Sequence, residues 1–203
     1  KYASIAAEGG NATAKLILAD MYKNGEGMHQ NDEKAFQLFK EAADNNGNVV
    51  AFREVAQALF MARGVTQNVP EGCRYLLKYY KFNPEDRWAN YMMGQFYQIG
   101  VHENGEELIP VNADAAIKCL LKVGDGSALT KLGEMYEEGK GVPINMNEAV
   151  KYYEMAQQKG DLDAISKVAI LNLLPDMQNE NWYNPTKGIQ AAKIFLDQSS
   201  NST

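Results

Sequence analysis

Residues 128–160, ALTKLGEMYEEGKGVPINMNEAVKYYEMAQQKG, decide the fold. Ala128, Leu132, Met135 and Tyr136 fall at i, i+4, i+7 and i+8, which is one face of a helix. Gly133, beside Leu132, removes a side chain where another helix can come close. Gly139 and Gly141 end the helix, because glycine takes the left-handed backbone of a helix C-terminus without strain. After a short turn, Asn147 is the expected cap of a second helix, with Ala149, Tyr152, Tyr153 and Ala156 as its apolar stripe. Gly160 closes that helix. The product is a helix-turn-helix hairpin whose apolar faces cannot all be buried within one copy.

The Leu132-Gly133 doublet has counterparts at Leu18-Ala19, Val55-Ala56, Met93-Gly94 and Val168-Ala169, at steps of 36 to 39 residues. Four residues before each doublet stands an alanine: Ala14, Ala51, Ala89, Ala128 and Ala164. A period in this range predicts an all-α solenoid of about five hairpins in which each copy buries its neighbour's apolar face.

The predicted boundaries are 11–47, 48–84, 85–126, 127–160 and 161–198, all within a single solenoid over 1–203. Residues 1–10 read as the end of a preceding repeat, so the chain reads as a fragment of a longer protein. In the first copy Asp32 is the expected cap of the second helix, which carries Ala35, Phe39, Ala42 and Ala43. In the second, Ala62-Arg63-Gly64-Val65 replaces the double-glycine turn, and Pro70 suits a first helical turn. In the third, Gly100–Asn112 reads as a lengthened loop, followed by a helix over Ala113–Val123 with Ala116, Leu120 and Leu121 inward. The fifth loses its pattern at Leu174-Pro175. A polar connection from Asp176 to Asn184 leads to a final helix, Pro185–Gln198, with Ile189, Ala192, Phe195 and Leu196 inward, and Ser199–Thr203 frayed.

Apolar residues make up 45% of the chain and charged residues 23%, close to globular averages, so disorder is not indicated. Apolar runs fall short of a membrane span. A net charge of −6 argues against a nucleic-acid or anionic-membrane surface. The two cysteines, Cys73 and Cys119, differ in helical phase and do not make a disulfide framework.

The pattern A-x-x-x-L-G-x-M-Y-x-x-G-x-G-V, then x-A-x-x-Y-x-x-A-x-x-x-G, resembles the SEL-1-like repeat, a relative of the tetratricopeptide repeat. Ala128, Leu132, Gly133, Met135, Tyr136, Gly139, Gly141, Val142, Ala149, Tyr153 and Ala156 carry it most fully, and the first copy follows closely. The resemblance implies a right-handed superhelix and a role in assembling other proteins. Members of the family include adaptors of endoplasmic-reticulum ubiquitin ligases, activators of wall synthesis, and bacterial secreted or periplasmic proteins. The cysteine-rich bacterial branch pairs cysteines within each repeat, and this chain lacks those pairs.

The expected function is therefore a scaffold or adaptor without catalytic, cofactor or metal sites, binding a protein or peptide on a concave helical groove. A place in an endoplasmic-reticulum ubiquitin-ligase or quality-control complex stays open. So do a secreted or periplasmic role in bacteria, and an enzyme or metal-binding protein using the 100–112 loop. His29 and His102 both fall in turns, and no paired-ligand spacing occurs. Glu134, Glu137 and Glu138 read as a solvated acidic face.

By analogy with the tetratricopeptide relatives, the first helix of each hairpin lines the groove. Residues two before, two after and five after the first member of the doublet then face it. In copies two and three these are Arg53, Gln57, Phe60, Tyr91, Gln95 and Gln98, with Trp88 and Met61 nearby, and arginine, tryptophan and tyrosine are the types that dominate binding hot spots. The sequons Asn11-Ala12-Thr13 and Asn201-Ser202-Thr203 are weak support for the secretory route, so an endoplasmic-reticulum, periplasmic or secreted setting is favoured over the cytoplasm. The Ile5–Ala7 side of the first segment presents apolar surface, and a homodimer through such uncapped repeat ends is expected.

Overall fold

The computed structural model describes residues 12–174 and 183–200. The expectations for Lys1–Gly10 and its Ile5–Ala7 side, for Asn11, for the connection over 175–182 and for 201–203 lie outside the described residues. The chain divides into two compact units, Lys1–Ala89 with Gly100–Pro110 and Asn90–Ile99 with Val111–Thr203. Ten α-helices and one two-stranded ribbon make up the described residues, the all-α helix-hairpin repeat that the period predicts.

Unit one holds two hairpins, α1 (Ala12–Asn24) with α2 (Asp32–Asn46) and α3 (Val49–Met61) with α4 (Val69–Phe82). Ala14, Leu18, Ala35, Phe39, Ala42, Ala43, Val55, Ala56 and Leu59 are buried, as the helical phase requires. Ala62 ends α3 in the left-handed conformation (φ 54°), the role glycine plays elsewhere in the chain. Cys73 is a buried free thiol on α4; burial pushes its pKa up to about 12, so it is inert near neutral pH.

The Gly100–Asn112 segment is not a plain loop. Residues Val101–Glu103 (β1) and Glu106–Ile109 (β2) pair antiparallel across Asn104-Gly105, with Val101 opposite Ile109. Both of these are buried. The ribbon rests on α4, where Arg74 pairs with Glu103. An Asn-Gly dipeptide with positive φ at both residues is a strong short-range hairpin signal.

Unit two contains α5 (Arg87–Ile99) from Asn90 onward, α6 (Ala113–Val123), α7 (Gly126–Glu138), α8 (Met146–Gln158), α9 (Leu162–Leu173) and α10 (Pro185–Ser200). One continuous core runs from Ala116 and Leu120 through Leu132, Met135 and Tyr153 to Val168 and Ala191. Gly133 supplies the close approach expected of it. A Cβ there would lie 2.4 Å from the Tyr153 ring of α8, and one on Gly94 would lie 2.8 Å from Leu120 of α6. Gly139 closes α7 at φ 73°, its N–H donating to the Met135 carbonyl.

Each helix from α2 to α10 starts at an Asn or Asp whose side-chain oxygen accepts the N–H three residues on. The caps of α2 and α8 are Asn31 and Asn145, one and two residues before the expected Asp32 and Asn147. Asp32 instead occupies the first helical turn, where its charge suits the helix dipole. The same cap residues close the hairpins through their own N–H groups. Asn31, Asn68, Asn112 and Asn145 donate to Tyr22, Leu59, Tyr97 and Tyr136 at 2.8, 3.1, 2.8 and 2.9 Å. The third copy thus keeps the standard closure despite its inserted ribbon. Three inward assignments are corrected: Leu121, Ile189 and Leu196 are exposed, while Cys119 and Ala191 take the buried positions nearby.

Candidate functional site

The first helices of the hairpins carry two kinds of position. Some are occupied by bonds between neighbouring repeats, and others are not.

The residue two before the doublet meets the cap of the next first-helix. Arg53 Nη1 lies 3.5 Å from Asp86 Oδ2, while Asp86 also caps α5 at the N–H of Ala89. In unit two, the Thr130 hydroxyl donates to Asp161, the cap of α9, at 2.8 Å. Tyr91 reaches a little further into the next helix, its hydroxyl 3.2 Å from Ser127 Oγ. The residue five after the doublet meets the one just before the next doublet. Lys23 pairs with Glu54 at 2.5 Å, and Glu137 with Lys167 at 2.7 Å.

The second helices repeat this with their own register. Lys40 of α2 pairs with Glu71 of α4, and Glu154 of α8 with Lys187 of α10, both at 2.7 Å. Each joins the ninth residue after one cap to the third after the next.

In unit one, the Arg53 guanidinium lies 5.3 Å from the Trp88 ring and 5.9 Å from the Tyr79 ring, which meet edge to face at 5.9 Å. Burial, with the Asp86 charge behind it, raises the Tyr79 pKa against the pull of Arg53. Arg53 therefore takes its carboxylate from within the unit. Phe60 is half-buried, its ring set against Gly72 of α4, and Met61 is exposed. Gln57 and Gln95 stand two after their doublets, outside the inter-repeat bonds, and both are half-buried. Gln95 and Tyr91 belong to unit two, while Arg53, Gln57, Phe60 and Trp88 belong to unit one.

Gln57 lines a cleft within unit one. Its floor is Ala35, Phe36, Phe39 and Ala58, and its rim is Lys23, Asp32, Glu54, Gln57 and Arg63. Near it, burial and then the Glu54 charge raise the Asp20 pKa, only partly opposed by Lys23. Sequence reasoning passed over Arg63 because it lies beyond the helix, in the turn that replaces the double glycine.

The acidic face of α7 is neutralised residue by residue: Lys131 holds Glu134, Lys167 holds Glu137 and Lys140 holds Glu138. His102 Nε2 meets Glu107 across the ribbon at 3.7 Å with both side chains more than half exposed. Among the described residues no group of three or more His, Cys, Asp or Glu could hold a metal ion.

The Sel1 repeat pattern matches residues 12–47, 89–123 and 126–161, just over half the chain. A curated relative, chitin synthase regulatory factor 2 of Schizosaccharomyces pombe, is 30% identical over 169 residues. That alignment takes in 79% of this chain and 32% of the relative, so the chain spans about a third of that protein's length. Among solved structures, a Sel1 repeat protein from Oxalobacter formigenes is 26% identical with a TM-score of 0.66, over 93% of this chain and 73% of its own. The protective antigen c5321 of uropathogenic Escherichia coli, which displays an SLR fold, is 20% identical with a TM-score of 0.69, over 97% of this chain and 40% of its own. No described helix is long and apolar enough to cross a membrane.

Proposed function

The chain belongs to the Sel1 repeat family, and on that premise we propose that it is a non-enzymatic scaffold holding a partner protein through an extended segment laid in a cleft between its first and second helices. The observation that carries this reading is the unit-one cleft. It combines an apolar floor with a half-buried glutamine and an exposed arginine. An extended peptide offers a backbone for the Gln57 amide, an apolar side chain for the floor between Phe36 and Phe39, and a carboxylate for Arg63. Tyr91 and Gln95 offer the same kinds of group in unit two.

The name of the yeast relative, a regulatory factor of chitin synthase, supports a partner that is itself an enzyme whose activity the scaffold regulates. That setting is favoured here over a ubiquitin-ligase or quality-control complex. Affinity capture from the native source identifies the partner. Gln57→Ala with Arg63→Ala should then weaken binding by ~1–2 kcal/mol or more while helicity is unchanged. Undiminished binding by the double variant would rule the cleft out.

A further inference from the structure

We propose that Asn104 is a site of spontaneous modification, its side-chain amide converted to aspartate and isoaspartate through a ring closed by the Gly105 nitrogen. The sequence holds three Asn-Gly steps, Asn24-Gly25, Asn46-Gly47 and Asn104-Gly105. In each, the glycine presents no side chain to hinder attack by its own nitrogen. What separates them is the backbone around each step.

Ring closure needs the asparagine backbone to rotate until the glycine nitrogen reaches its Cγ. Asn24 and Asn46 are the last residues of α1 and α2. The Gly47 N–H donates to the Ala42 and Ala43 carbonyls, so rotation at Asn46 breaks the closure of α2. The Asn24 amide reaches Glu26 at 3.4 Å, and Gly25 is packed against its own turn, where a Cβ would stand 3.5 Å from Gln30 and 3.6 Å from the Met28 carbonyl. Asn104 is placed differently, at the tip of the ribbon, with φ 51° there and 85° at Gly105. A Cβ on Gly105 would meet nothing within 4 Å, and residues Asn104 to Glu107 are all exposed. The anchors of the ribbon, Val101 and Ile109, are buried at its other end. A two-stranded ribbon is marginal by itself, so the end away from its anchors opens at least cost.

In the reaction the Gly105 nitrogen bonds to the Asn104 Cγ and the bond from Cγ to the side-chain nitrogen breaks. Ammonia leaves, carrying the proton displaced from Gly105. Water then opens the cyclic imide at either carbonyl. Opening at Cγ restores the main chain and leaves aspartate, whose Asp-Gly step still suits the turn. Opening at the main-chain carbonyl gives isoaspartate, in which the chain is lengthened because it runs through Cβ and Cγ. The turn sets the register of the strands it joins, so the longer path loosens the Glu103–Glu106 pair. The Arg74 tie to α4 is made by that same Glu103. Either product adds a carboxylate to a tip that already carries Glu103, Glu106 and Glu107.

Incubation of the full chain at mildly alkaline pH, followed by peptide mapping in a mass spectrometer, reads the amide-to-acid mass gain at each Asn-Gly step. In the folded protein Asn104 should react about tenfold or more faster than Asn24 and Asn46. In denaturing urea the three rates should converge. An aspartate-specific protease, which cuts the aspartyl but not the isoaspartyl form, should find both products at residue 104. Amide hydrogen exchange in the ribbon should be faster in the isoaspartyl form than in the aspartyl form. Asn104→Gly keeps a Gly-Gly turn and should abolish modification of the ribbon while leaving the other two rates unchanged. An Asn104 that reacts no faster than Asn24 or Asn46 in the folded protein overturns the proposal. So does selectivity that persists in urea, which would place its cause outside the fold, or an isoaspartyl ribbon that exchanges no faster than the aspartyl one.

Discussion

Asp161 Oδ1 accepts the hydroxyl of Thr130 at 2.8 Å and the N–H of Ala164 at 3.0 Å, so one carboxylate both starts α9 and ties it to α7. Thr130 is buried, and its hydroxyl also reaches the Gly126 carbonyl at 3.0 Å. Asp161→Ala removes the cap and one partner of a buried hydroxyl together, and should cost ~1.5–3 kcal/mol in urea unfolding. Thr130→Val should cost ~1 kcal/mol. A double-mutant cycle should show the two effects to be coupled, because the substitutions share one bond.

Gly133→Ala should be destabilising by ~1–3 kcal/mol. The added carbon would stand 2.4 Å from a Tyr153 ring that is wholly buried and whose hydroxyl donates to Glu137 at 2.5 Å, so the ring has nowhere to go. Combining the change with Tyr153→Leu should recover part of the loss, since the register-equivalent residues in the second hairpin are Ala56 and Leu76. Thermal denaturation of the three variants decides it.

Lys23→Glu sets two carboxylates against each other between α1 and α3. Loss of the pair alone is worth ~0.2–1 kcal/mol, and reversal should cost more than Lys23→Ala. The exchange Lys23→Glu with Glu54→Lys should return stability to near the starting value. The difference between single and double variants should shrink in high salt, which unfolding at two ionic strengths measures.

The fold should weaken in alkali. Burial, and then the bond to Glu137, raise the Tyr153 phenol well above its ordinary value of 10.0. An acid whose folded pKa is raised contributes stability that is full below pH 10 and falls as pH climbs beyond it, because only the unfolded chain then sheds the proton. Lys40 acts in the same direction. Burial disfavours its charge, but bonds to Glu71 and Tyr75 hold its pKa above 10.5, so that contribution also fades at high pH. Chemical denaturation between pH 8 and pH 11 should show the decline, and Tyr153→Phe should flatten it.

The repeat itself was legible because Leu132, its counterparts and the alanines four residues before them are core positions, and core positions keep their chemistry. The turn-closing glycines were legible for a similar reason, since few residues accept their backbone. The ribbon at 101–109 carried its own sign in Asn104-Gly105, but a period of 36 to 39 residues draws attention to what repeats, and the ribbon occurs once. The first of the shifted caps has a physical reason: Asp32, one residue past the Asn31 cap, carries a charge that also suits a first helical turn. The roles of the residues expected to face a groove were least legible. That Arg53 faces Asp86 depends on the stacking register of two repeats, which no single helix reveals, and so a residue suited to a partner's carboxylate is engaged within the unit.

The ties between neighbouring hairpins have a polarity. From the first hairpin to the second, lysine is offered and glutamate receives, at both Lys23–Glu54 and Lys40–Glu71. From the fourth to the fifth the sense is reversed, with Glu137 and Glu154 offered to Lys167 and Lys187. An in-frame deletion that spliced the first hairpin onto the fifth would bring Lys23 to Lys167 and Lys40 to Lys187. A duplication that set a copy of the second hairpin after the fourth would bring Glu137 to Glu54 and Glu154 to Glu71. Each miswiring is repulsive on both helices at once. The hairpins are alike in shape yet not interchangeable, and recombination among them, the ordinary way in which repeat arrays grow and shrink, meets an electrostatic penalty at these joints.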